Sequence, residues 1–442
     1  MKVGFISLGC SKNLVDTEHM MGALKAAGHE IVNNPELADA VVVNTCGFID
    51  EAKKEAIDTI VEMGLLKELG KFRILLATGC LAQRYPDELL RELPELDAVV
   101  GVKDYLRLPE ILDACMAGER QKAVSGWPEN YTLQTGRVIS TPPGWAYLKI
   151  AEGCNNRCSY CAIPGIRGPL RSRPRAELIK EARDLAEAGV KELVLVAQDT
   201  TAYGRDLVPG ESLRGLVEKL GEIEGIEWIR VMYLYPSGNA EEILSVLKLK
   251  KVVPYLDIPL QHGSDRILKL MGRRYNRRVV FDLIEKLRAE ITGLALRTTL
   301  MTGFPGESED DHRENMELLE QLQFDWAGVF AYSKEDGTVA GRMEPEVLPE
   351  VAHERRRQLL ELQQRISQKK NRQRVGQQAS VLVESRISPD SYRGRAYFQA
   401  PEVDGAVLIK ANRSLQTGSF VTVSFYRAYG YDLIGEEKIG PT

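Results

Sequence analysis

Short apolar runs alternate with longer amphipathic stretches along the first three quarters of the chain. In residues 1 to about 125, four runs are continuous and rich in Val, Ile and Leu: VGFISLG, AVVVNTC, RILLATGC and DAVVG. Continuous runs of this kind are typical of buried parallel strands, and helical segments such as residues 50–69 lie between them. The pattern predicts an α/β domain over residues 1–125, built on an open, doubly wound parallel sheet.

The alternation resumes after residues 126–143, a segment with several Pro and Gly residues that is typical of a linker. Helical patterns such as residues 176–188, which end before Gly189, separate most of six further strand-like runs: AYLKI, ELVLVA, WIRVMYLY, YLDIPL, ALRTTLM and WAGVFAY. Six such units predict a partial or complete TIM-like β/α barrel over residues 144–350, with its chemistry at the carboxyl ends of the strands.

The last quarter of the chain has two different patterns. Residues 351–375 are basic with helical spacing, and eight Lys or Arg stand against two Glu in residues 351–374. We predict a helical connector whose charged face is solvated, with contact to an anionic partner as the alternative. Residues 376–442 contain short strand-like runs divided by turns, which predict a small antiparallel β-barrel.

Composition narrows the class of protein. A chain of 442 residues divides into several domains, and 44% apolar residues is ordinary for a globular protein. The net charge of −5 disfavours a protein that binds polyanions over its whole surface. No apolar run is long enough for a signal peptide or a membrane span. Seven cysteines at these spacings do not resemble a secreted disulfide framework, so we expect a cytoplasmic protein without a membrane partner.

Three cysteines stand close together in the segment AEGCNNRCSYCAIPGIRG. Cys154, Cys158 and Cys161 have the spacing Cys-x3-Cys-x2-Cys, in a polar, Gly-containing context that predicts a loop. Each thiolate can bind one iron of a [4Fe–4S] cluster, which leaves the fourth iron open to a substrate or cofactor. Structural zinc is disfavoured because it takes four ligands and the nearest downstream histidine is His262. Incidental buried cysteines are the alternative.

Three further cysteines are distant from one another in the sequence. Cys10, Cys46 and Cys80 each end a strand-like run and are followed by polar or turn residues. Parallel strands end at one edge of their sheet, so we expect these thiols to gather where open α/β sheets bind ligands. Small buried packing cysteines are the alternative. The seventh cysteine, Cys115, lies in a short helical segment that ends at Gly118, and we predict a packing role for it.

Taken together, the order of these regions resembles the methylthiotransferases of the radical S-adenosylmethionine superfamily over nearly the whole chain. The C-terminal region resembles a TRAM domain. The segments that carry the resemblance are LGCSKNLVDTE, NTCGFIDEAKKEAI, ATGCLAQRYP, AEGCNNRCSYCAIPGIRG, PLQHGSDRILKLMGR and TGFPGE. The resemblance implies S-adenosylmethionine and two [4Fe–4S] clusters as cofactors. It implies a catalytic, radical-generating cluster on Cys154, Cys158 and Cys161, and lends support to an auxiliary cluster on Cys10, Cys46 and Cys80.

Within the family, the chain resembles the branch that modifies an aspartate of the twelfth small-subunit ribosomal protein. The residues concerned are Gly9 to Asn13, Phe48, Ile49, the segment from Ala52, and YLYPSG at residues 233–238. The C-terminal region has seven basic and seven acidic residues, which fits a protein substrate better than RNA. The resemblance therefore implies a methylthio group added at the β-carbon of that aspartate.

The chemistry and the partners follow from this resemblance. The target C–H bond is unactivated, so the reaction must come from cofactors. The resemblance implies hydrogen abstraction by a 5'-deoxyadenosyl radical, with a second S-adenosylmethionine methylating a sulfur on the auxiliary cluster. We expect the ribosomal protein as partner, free or on the small subunit, and an electron donor such as a flavodoxin or ferredoxin.

Two alternatives stay open. The first is the family branch that modifies adenosine near the tRNA anticodon, and tRNA is a partner only in that case. The second is a non-catalytic electron carrier or redox sensor with two clusters. It is disfavoured because such carriers typically use four cysteines for each cluster.

Several other residues are candidates for the cofactor pocket. Tyr160 is a candidate for packing on the adenine, with plain packing as the alternative. Gln198 and Asp199 follow the strand ELVLVA, and a polar turn would explain them equally well. Gly303, in the turn Gly303 to Gly306, is expected to line the pocket, although turn geometry alone would account for it.

Polar residues near the cysteine loop and a strand end complete the candidates. Arg167, Arg171, Arg173 and Arg175 are candidates for holding carboxylates of cofactor or substrate. A solvated surface is the competing expectation, and we favour it for at least two of them. Gln261 and His262 end the strand YLDIPL, where we expect a hydrogen-bonded structural histidine.

Overall fold

The computed structural model describes residues 1–127, 131, 133, 136–236 and 240–438. Residues 128–130, 132 and 134–135 of the predicted linker, Ser237 and Gly238 of YLYPSG, and residues 439–442 lie outside this range. The chain divides into two compact units. One comprises residues 1–140, 151–177 and 333–341, and the other comprises residues 141–150, 178–332 and 342–442.

The first unit begins with a six-stranded parallel sheet, which confirms the predicted architecture of this region. Its elements are β1 (Lys2–Ser7), α1 (Ser11–Ala26), β2 (Glu30–Val32), β3 (Ala40–Thr45), α2 (Asp50–Glu68), β4 (Ile74–Gly79), α3 (Cys80–Arg84), α4 (Pro86–Glu92), β5 (Ala98–Val100), α5 (Leu108–Met116) and β6 (Gln121–Ala123). The strands lie in the order β2-β1-β3-β4-β5-β6, and each pairs parallel with its neighbours.

Helices cover both faces of this sheet, so its central strands are buried on each side. Val42 and Leu76 pack in one apolar cluster with residues of α1 and α5, whereas Val41 and Leu75 pack in another with residues of α2 and α4. Burial on both faces explains why β3 and β4 are continuous apolar runs and not alternating ones. Cys115 lies buried in the first cluster, which confirms the packing role predicted for it.

The remaining elements follow in chain order. They are β7 (Trp145–Lys149), β8 (Ala151–Glu152), α6 (Ile163–Arg167), β9 (Arg171–Ser172), α7 (Arg175–Glu187), β10 (Glu192–Val196), α8 (Leu213–Gly221), β11 (Trp228–Val231), α9 (Ala240–Leu247), β12 (Tyr255–Gln261), α10 (Asp265–Leu270), α11 (Arg277–Glu290), β13 (Ala295–Thr302), α12 (Glu309–Leu322), β14 (Trp326–Ala331), α13 (Pro349–Arg374), β15 (Gln378–Ser388), β16 (Ser391–Ala396), β17 (Val407–Lys410), β18 (Phe420–Tyr429) and β19 (Asp432–Glu437).

Six of these strands form the parallel β/α region of the second unit. They form two three-stranded parallel sheets, β11-β10-β7 and β12-β13-β14. Each of the six strands corresponds to one of the predicted strand-like runs. Helices lie between most consecutive strands, as the sequence predicts. Helix α13 also belongs to this unit, and packs its apolar residues Leu359, Leu362 and Ile366 inward.

A closed five-stranded barrel follows α13, in the order β15-β16-β17-β19-β18. Four of its pairings are antiparallel, and β17 pairs parallel with β19. The last predicted strand-like run is two strands, because the chain turns at Gly430, where φ is +58°. Among the described residues, no helix combines the length and apolar character that crossing a membrane requires.

Candidate functional site

The first set of cysteines along the chain, Cys10, Cys46 and Cys80, lies at the carboxyl edge of the N-terminal sheet. Cys10 follows β1 and precedes α1, Cys46 comes directly after β3, and Cys80 is the first residue of α3, directly after β4. Strands β1, β3 and β4 are neighbours and all parallel, so the three residues share one sheet edge. The fold thus places side by side three thiols that the sequence separates by 36 and 34 residues.

The backbone approaches the first set closely. A Cβ atom on Gly9 would lie 2.8 Å from the Cβ of Cys46 and 3.2 Å from its Sγ. Gly9 also has a φ of +91°, which disfavours other residues. The loop after β1 can therefore pass beside Cys46 only because position 9 lacks a side chain.

Asn13 ties the loops of this edge together from inside α1. Its fully buried amide donates from Nδ2 to the carbonyl oxygens of Leu8, at 3.1 Å, and Thr45, at 3.0 Å. These carbonyls lie just before Cys10 and Cys46. The Oδ1 atom of Asn13 lies 3.7 Å from the Sγ of Cys80. A single side chain therefore reaches all three segments that carry the cysteines.

The three thiols influence one another electrostatically. Burial, together with the neighbouring Cys80 and Cys10, raises the pKa of Cys46 to about 12. Burial also raises the pKa of Cys80, although Arg167 opposes that rise. For Cys10, desolvation also acts to raise the pKa, but the positive charges of Lys12 and Arg167 outweigh it and lower the pKa of this solvent-exposed thiol. Binding of a metal cluster here would therefore release protons.

The second set of cysteines, Cys154, Cys158 and Cys161, lies on one loop of the first unit, between β8 and α6. The amide of Cys154 donates to the carbonyl of Gly168 at 3.1 Å, and that of Cys161 donates to the carbonyl of Cys158, also at 3.1 Å. The amide of Asn156 lies 3.4 Å from the Sγ of Cys154 and donates to it. The loop is thus held by its own backbone, with one amide directed at a thiol sulfur.

Both sets fit the donor chemistry of an iron–sulfur cluster. Among the residues that the structure describes, no three His, Cys, Asp or Glu side chains are grouped as a site for one metal ion. A [4Fe–4S] cluster places its thiolate ligands on different irons, so they stand farther apart than the ligands of a single ion. Three thiols at one sheet edge and three on one loop supply the sulfur donors that such clusters take. Their role as ligands stays a prediction.

The structure describes each residue that the sequence predicts for the binding of S-adenosylmethionine. Tyr160 is buried in the first unit. In the second, Gln198 and Asp199 follow β10, and the carboxylate of Asp199 accepts a hydrogen bond from the amide of Thr201 at 3.1 Å. Asp199 thus caps the turn after β10. Contact of these residues with the cofactor stays a prediction.

Gly303 opens the turn after β13, where its φ is +73°. The carboxylate of Glu307 accepts hydrogen bonds from the amides of both Gly303 and Phe304, the latter at 3.1 Å. Buried His262 lies next to the same group, with Nε2 3.8 Å from an oxygen of Glu307, and accepts from the amide of Ser264 at 3.0 Å. This position agrees with the structural role expected for His262. The sequence pattern does not single out Glu307 as a residue that contacts this turn.

The arginines after the cysteine loop differ from the prediction. Arg167, Arg171 and Arg173 are buried, so a solvated surface is wrong for these three, and only Arg175 is partly exposed. The carboxylates that Arg167 holds belong to the chain itself: Asp16 lies at 3.0 Å and Glu152 at 2.7 Å. A charged residue normally favours water, and only these partners, distant in sequence, make burial acceptable.

Three family models match successive parts of the chain. Residues 2–101 match the Uncharacterized protein family UPF0004, residues 148–319 match the Radical SAM superfamily, and residues 375–437 match the TRAM domain. Members of the second family use S-adenosylmethionine with an iron–sulfur cluster, and this chain accordingly takes both.

Curated relatives match over the full length. The chain is 50% identical to the ribosomal protein uS12 methylthiotransferase RimO of Syntrophomonas wolfei, with 99% of this chain and 100% of the relative covered. The chain belongs to the RimO family. Identity to the RimO protein of Caldicellulosiruptor saccharolyticus is 48%, with 99% of each chain covered, and to that of Clostridioides difficile it is 45%, with 99% and 98% covered.

Solved structures resemble this RimO-family chain in fold at low sequence identity. TsrM, a radical S-adenosylmethionine methyltransferase from Kitasatospora setae, aligns with a TM-score of 0.56, 15% identity and 77% of each chain covered. The cobalamin-dependent radical enzyme OxsB aligns with a TM-score of 0.51 and 15% identity, over 77% of this chain and 54% of that one. At such identities the likeness shows the fold alone.

Proposed function

We propose that this chain is a radical S-adenosylmethionine methylthiotransferase that adds a methylthio group to the β-carbon of an aspartate in ribosomal protein uS12. The observation that carries the proposal is the 50% identity to a uS12 methylthiotransferase over 99% of the chain. It is supported by two sets of three cysteines in one compact unit, a donor set suited to two clusters.

Each set of cysteines has its own role in this proposal. Cys154, Cys158 and Cys161 hold the radical-generating cluster, and Cys10, Cys46 and Cys80 hold an auxiliary one. When bound, the cluster on Cys154, Cys158 and Cys161 would pass the electron needed to cleave S-adenosylmethionine, and the cluster on Cys10, Cys46 and Cys80 would carry the sulfur that is methylated and transferred. The protein supplies only three thiols to each cluster, which leaves a position for a non-protein ligand.

Other residues of the chain position these groups. The amide of Asn156 donates a hydrogen bond to the Sγ of Cys154 and so helps to orient that sulfur. Glu307 holds the amides of Gly303 and Phe304 and so sets the shape of the turn after β13. We assign Tyr160, Gln198, Asp199 and Gly303 to the binding of S-adenosylmethionine.

The substrate and the chemistry also define the surroundings of the reaction. The ribosomal protein is the substrate, free or on the small subunit, so the protein acts in the cytoplasm. Reductive cleavage needs an external electron, and a small redox protein such as a flavodoxin or ferredoxin is the donor that we propose.

The test uses the protein reconstituted anaerobically with iron and sulfide, then supplied with reductant, S-adenosylmethionine and uS12. Cys154→Ala should abolish formation of 5'-deoxyadenosine, because the radical-generating cluster loses one of its three thiolate ligands. Cys46→Ala should spare that product and stop methylthio transfer. Cys115→Ala is the matched control and should change neither, because Cys115 packs in the core of the sheet.

Two results would contradict the proposal. Full-rate deoxyadenosine formation by the Cys154 variant would remove the radical-generating role. Retained methylthio transfer by the Cys46 variant would remove the auxiliary cluster from the reaction.

A further inference from the structure

We infer that Arg167 is a positioning residue for the auxiliary cluster. Its side chain donates a hydrogen bond to the ligand Cys80 and raises the reduction potential of that cluster. The inference rests on the proposed function, since it assumes that Cys10, Cys46 and Cys80 hold a cluster. It assigns to Arg167 a role different from the binding of cofactor or substrate carboxylates that the sequence suggests.

The guanidinium group of Arg167 uses all its nitrogen atoms inside the first unit. Its Nε lies 3.4 Å from the Sγ of Cys80 and donates to it. One terminal nitrogen donates to Asp16 at 3.0 Å and to Glu152 at 2.7 Å. The other donates to the Oδ1 of Asn13. The side chain is 1% exposed, so water does not compete with these contacts.

These contacts connect the two sets of cysteines. Asn13 donates to the carbonyls of Leu8 and Thr45, which lie next to the other two thiols of the first set. On the backbone side, Arg167 precedes Gly168, whose carbonyl accepts the hydrogen bond from the amide of Cys154. One residue therefore contacts a ligand of the first set with its side chain and adjoins the loop of the second set through its backbone.

The partners of Arg167 fix its orientation. Asp16 on α1 and Glu152 on β8 hold the same terminal nitrogen, and Asn13 holds the other, so Nε is directed at Cys80. A planar guanidinium can satisfy three directions at once, whereas a lysine ammonium is a single point. If Arg167 served only as an ion pair, nothing would require its Nε to face a sulfur atom.

The effect on the cluster follows from its charge. Reduction adds negative charge to the cluster and to its thiolate sulfurs, and a buried donor with positive charge stabilises the reduced form. Hydrogen bonds to cluster sulfurs are one of the ways by which proteins set the potential. Removal of the donor should therefore make the auxiliary cluster harder to reduce.

The experiment isolates the auxiliary cluster in the full-length chain. In a Cys154→Ala/Cys158→Ala/Cys161→Ala background, iron content and the midpoint potential are measured by an anaerobic redox titration followed by electron paramagnetic resonance. Arg167→Lys keeps the charge and loses the directed Nε–H. Arg167→Met loses both. Arg230→Met is the matched control, since it removes a fully buried guanidinium paired with Glu192 at 2.8 Å in the second unit.

We expect a more negative midpoint potential in both Arg167 variants, with the larger shift in Arg167→Met, and no shift in Arg230→Met. If Arg167→Met does not load iron, the potential of Arg167→Lys decides. If neither Arg167 variant loads iron while Arg230→Met loads normally, Arg167 is needed only to assemble the site, and the claim about the potential is overturned. An unchanged potential in loaded Arg167 variants also overturns it. A background chain without iron would instead refute the auxiliary cluster itself.

Discussion

Buried polar side chains of α1 hold much of the first unit together. Asn13, Asp16 and Glu18 are at most 3% exposed, although a helix with this composition would be expected to face water. Their partners come from distant segments: Arg167 binds Asp16, and Arg137 binds Glu18. A buried charge without a partner costs several kcal/mol, so burial of Asp16 and Glu18 requires these arginines as ion-pair partners. Hydrophobic pattern alone does not reveal such pairs.

A single buried carboxyl group in the second unit should make the folding stability of the protein depend on pH. Burial raises the pKa of Asp404 to about 6, although Arg297 and the hydroxyl of Tyr255 oppose that rise. The folded state therefore holds this proton at pH values where the unfolded chain has lost it. Stability should fall as the pH rises from about 4 to about 6, by up to about 3 kcal/mol, and stay level above that.

Asp404→Asn tests this assignment. The variant cannot titrate at this position. Its melting temperature should therefore fall less between pH 4 and pH 6 than that of the wild-type protein. Asp390→Asn is the control, since Asp390 is exposed and its pKa is lowered by hydrogen bonds with Ser388 and Ser391. A wild-type and an Asp404→Asn protein with parallel pH profiles would contradict the raised pKa.

At the scale of elements, the strand ends define the candidate site. Continuous apolar runs predict β1, β3 and β4, and the parallel order of the sheet brings the cysteines after them to one edge. The bounds of α2, α7 and α13 fall within two residues of their predicted ranges, because each has helical spacing and ends near a Gly or a change of composition.

Other elements were missed for local reasons. Strands β2 and β6 have three residues each, too few to show a pattern, and lie at the two edges of the sheet. The parallel pairing of β17 with β19 is set by closure of the barrel, which the local sequence pattern of each strand does not determine. The short helix α3 begins at a cysteine and continues directly from a strand, with no capping side chain to mark its start.

Gly79 lies at the boundary between β4 and α3, and its backbone conformation determines the position of Cys80. It joins β4 to Cys80 with φ of +94° and ψ of −157°, a region restricted almost wholly to glycine. A Cβ atom there would lie 2.3 Å from the Oδ1 of Asn44 and 2.4 Å from the carbonyl oxygen of Thr45. Gly79→Ala should destabilise the protein by at least about 2 kcal/mol and displace Cys80.

The measurement is the melting temperature, together with the iron content after reconstitution. Gly70→Ala is the matched control, because Gly70 also has a positive φ, of +73°, but has no atom within 4 Å of its Cβ position. It should cost only about 1 kcal/mol and retain both clusters. Equal losses of iron in the two variants would show that Gly79 has no special relation to Cys80.

For the molecule as a whole, three successive family matches occur in the order that the sequence pattern predicts. The α/β sheet, the β/α region and the small barrel each follow from local periodicity. The cysteines of both sets could be chosen as candidates because thiols are rare and their spacing is informative. The Arg167 contacts could not, since they join Asn13, Asp16, Cys80 and Glu152 across up to 154 residues of chain.

The central claim is that this chain modifies ribosomal protein uS12. The most direct measurement compares, by mass spectrometry, uS12 and the tRNA nucleosides of a strain that lacks this protein with those of the complemented strain. We expect a methylthio mass increment to disappear from uS12 alone and to return on complementation. Loss of a methylthioadenosine from tRNA, with uS12 unchanged, would contradict the claim.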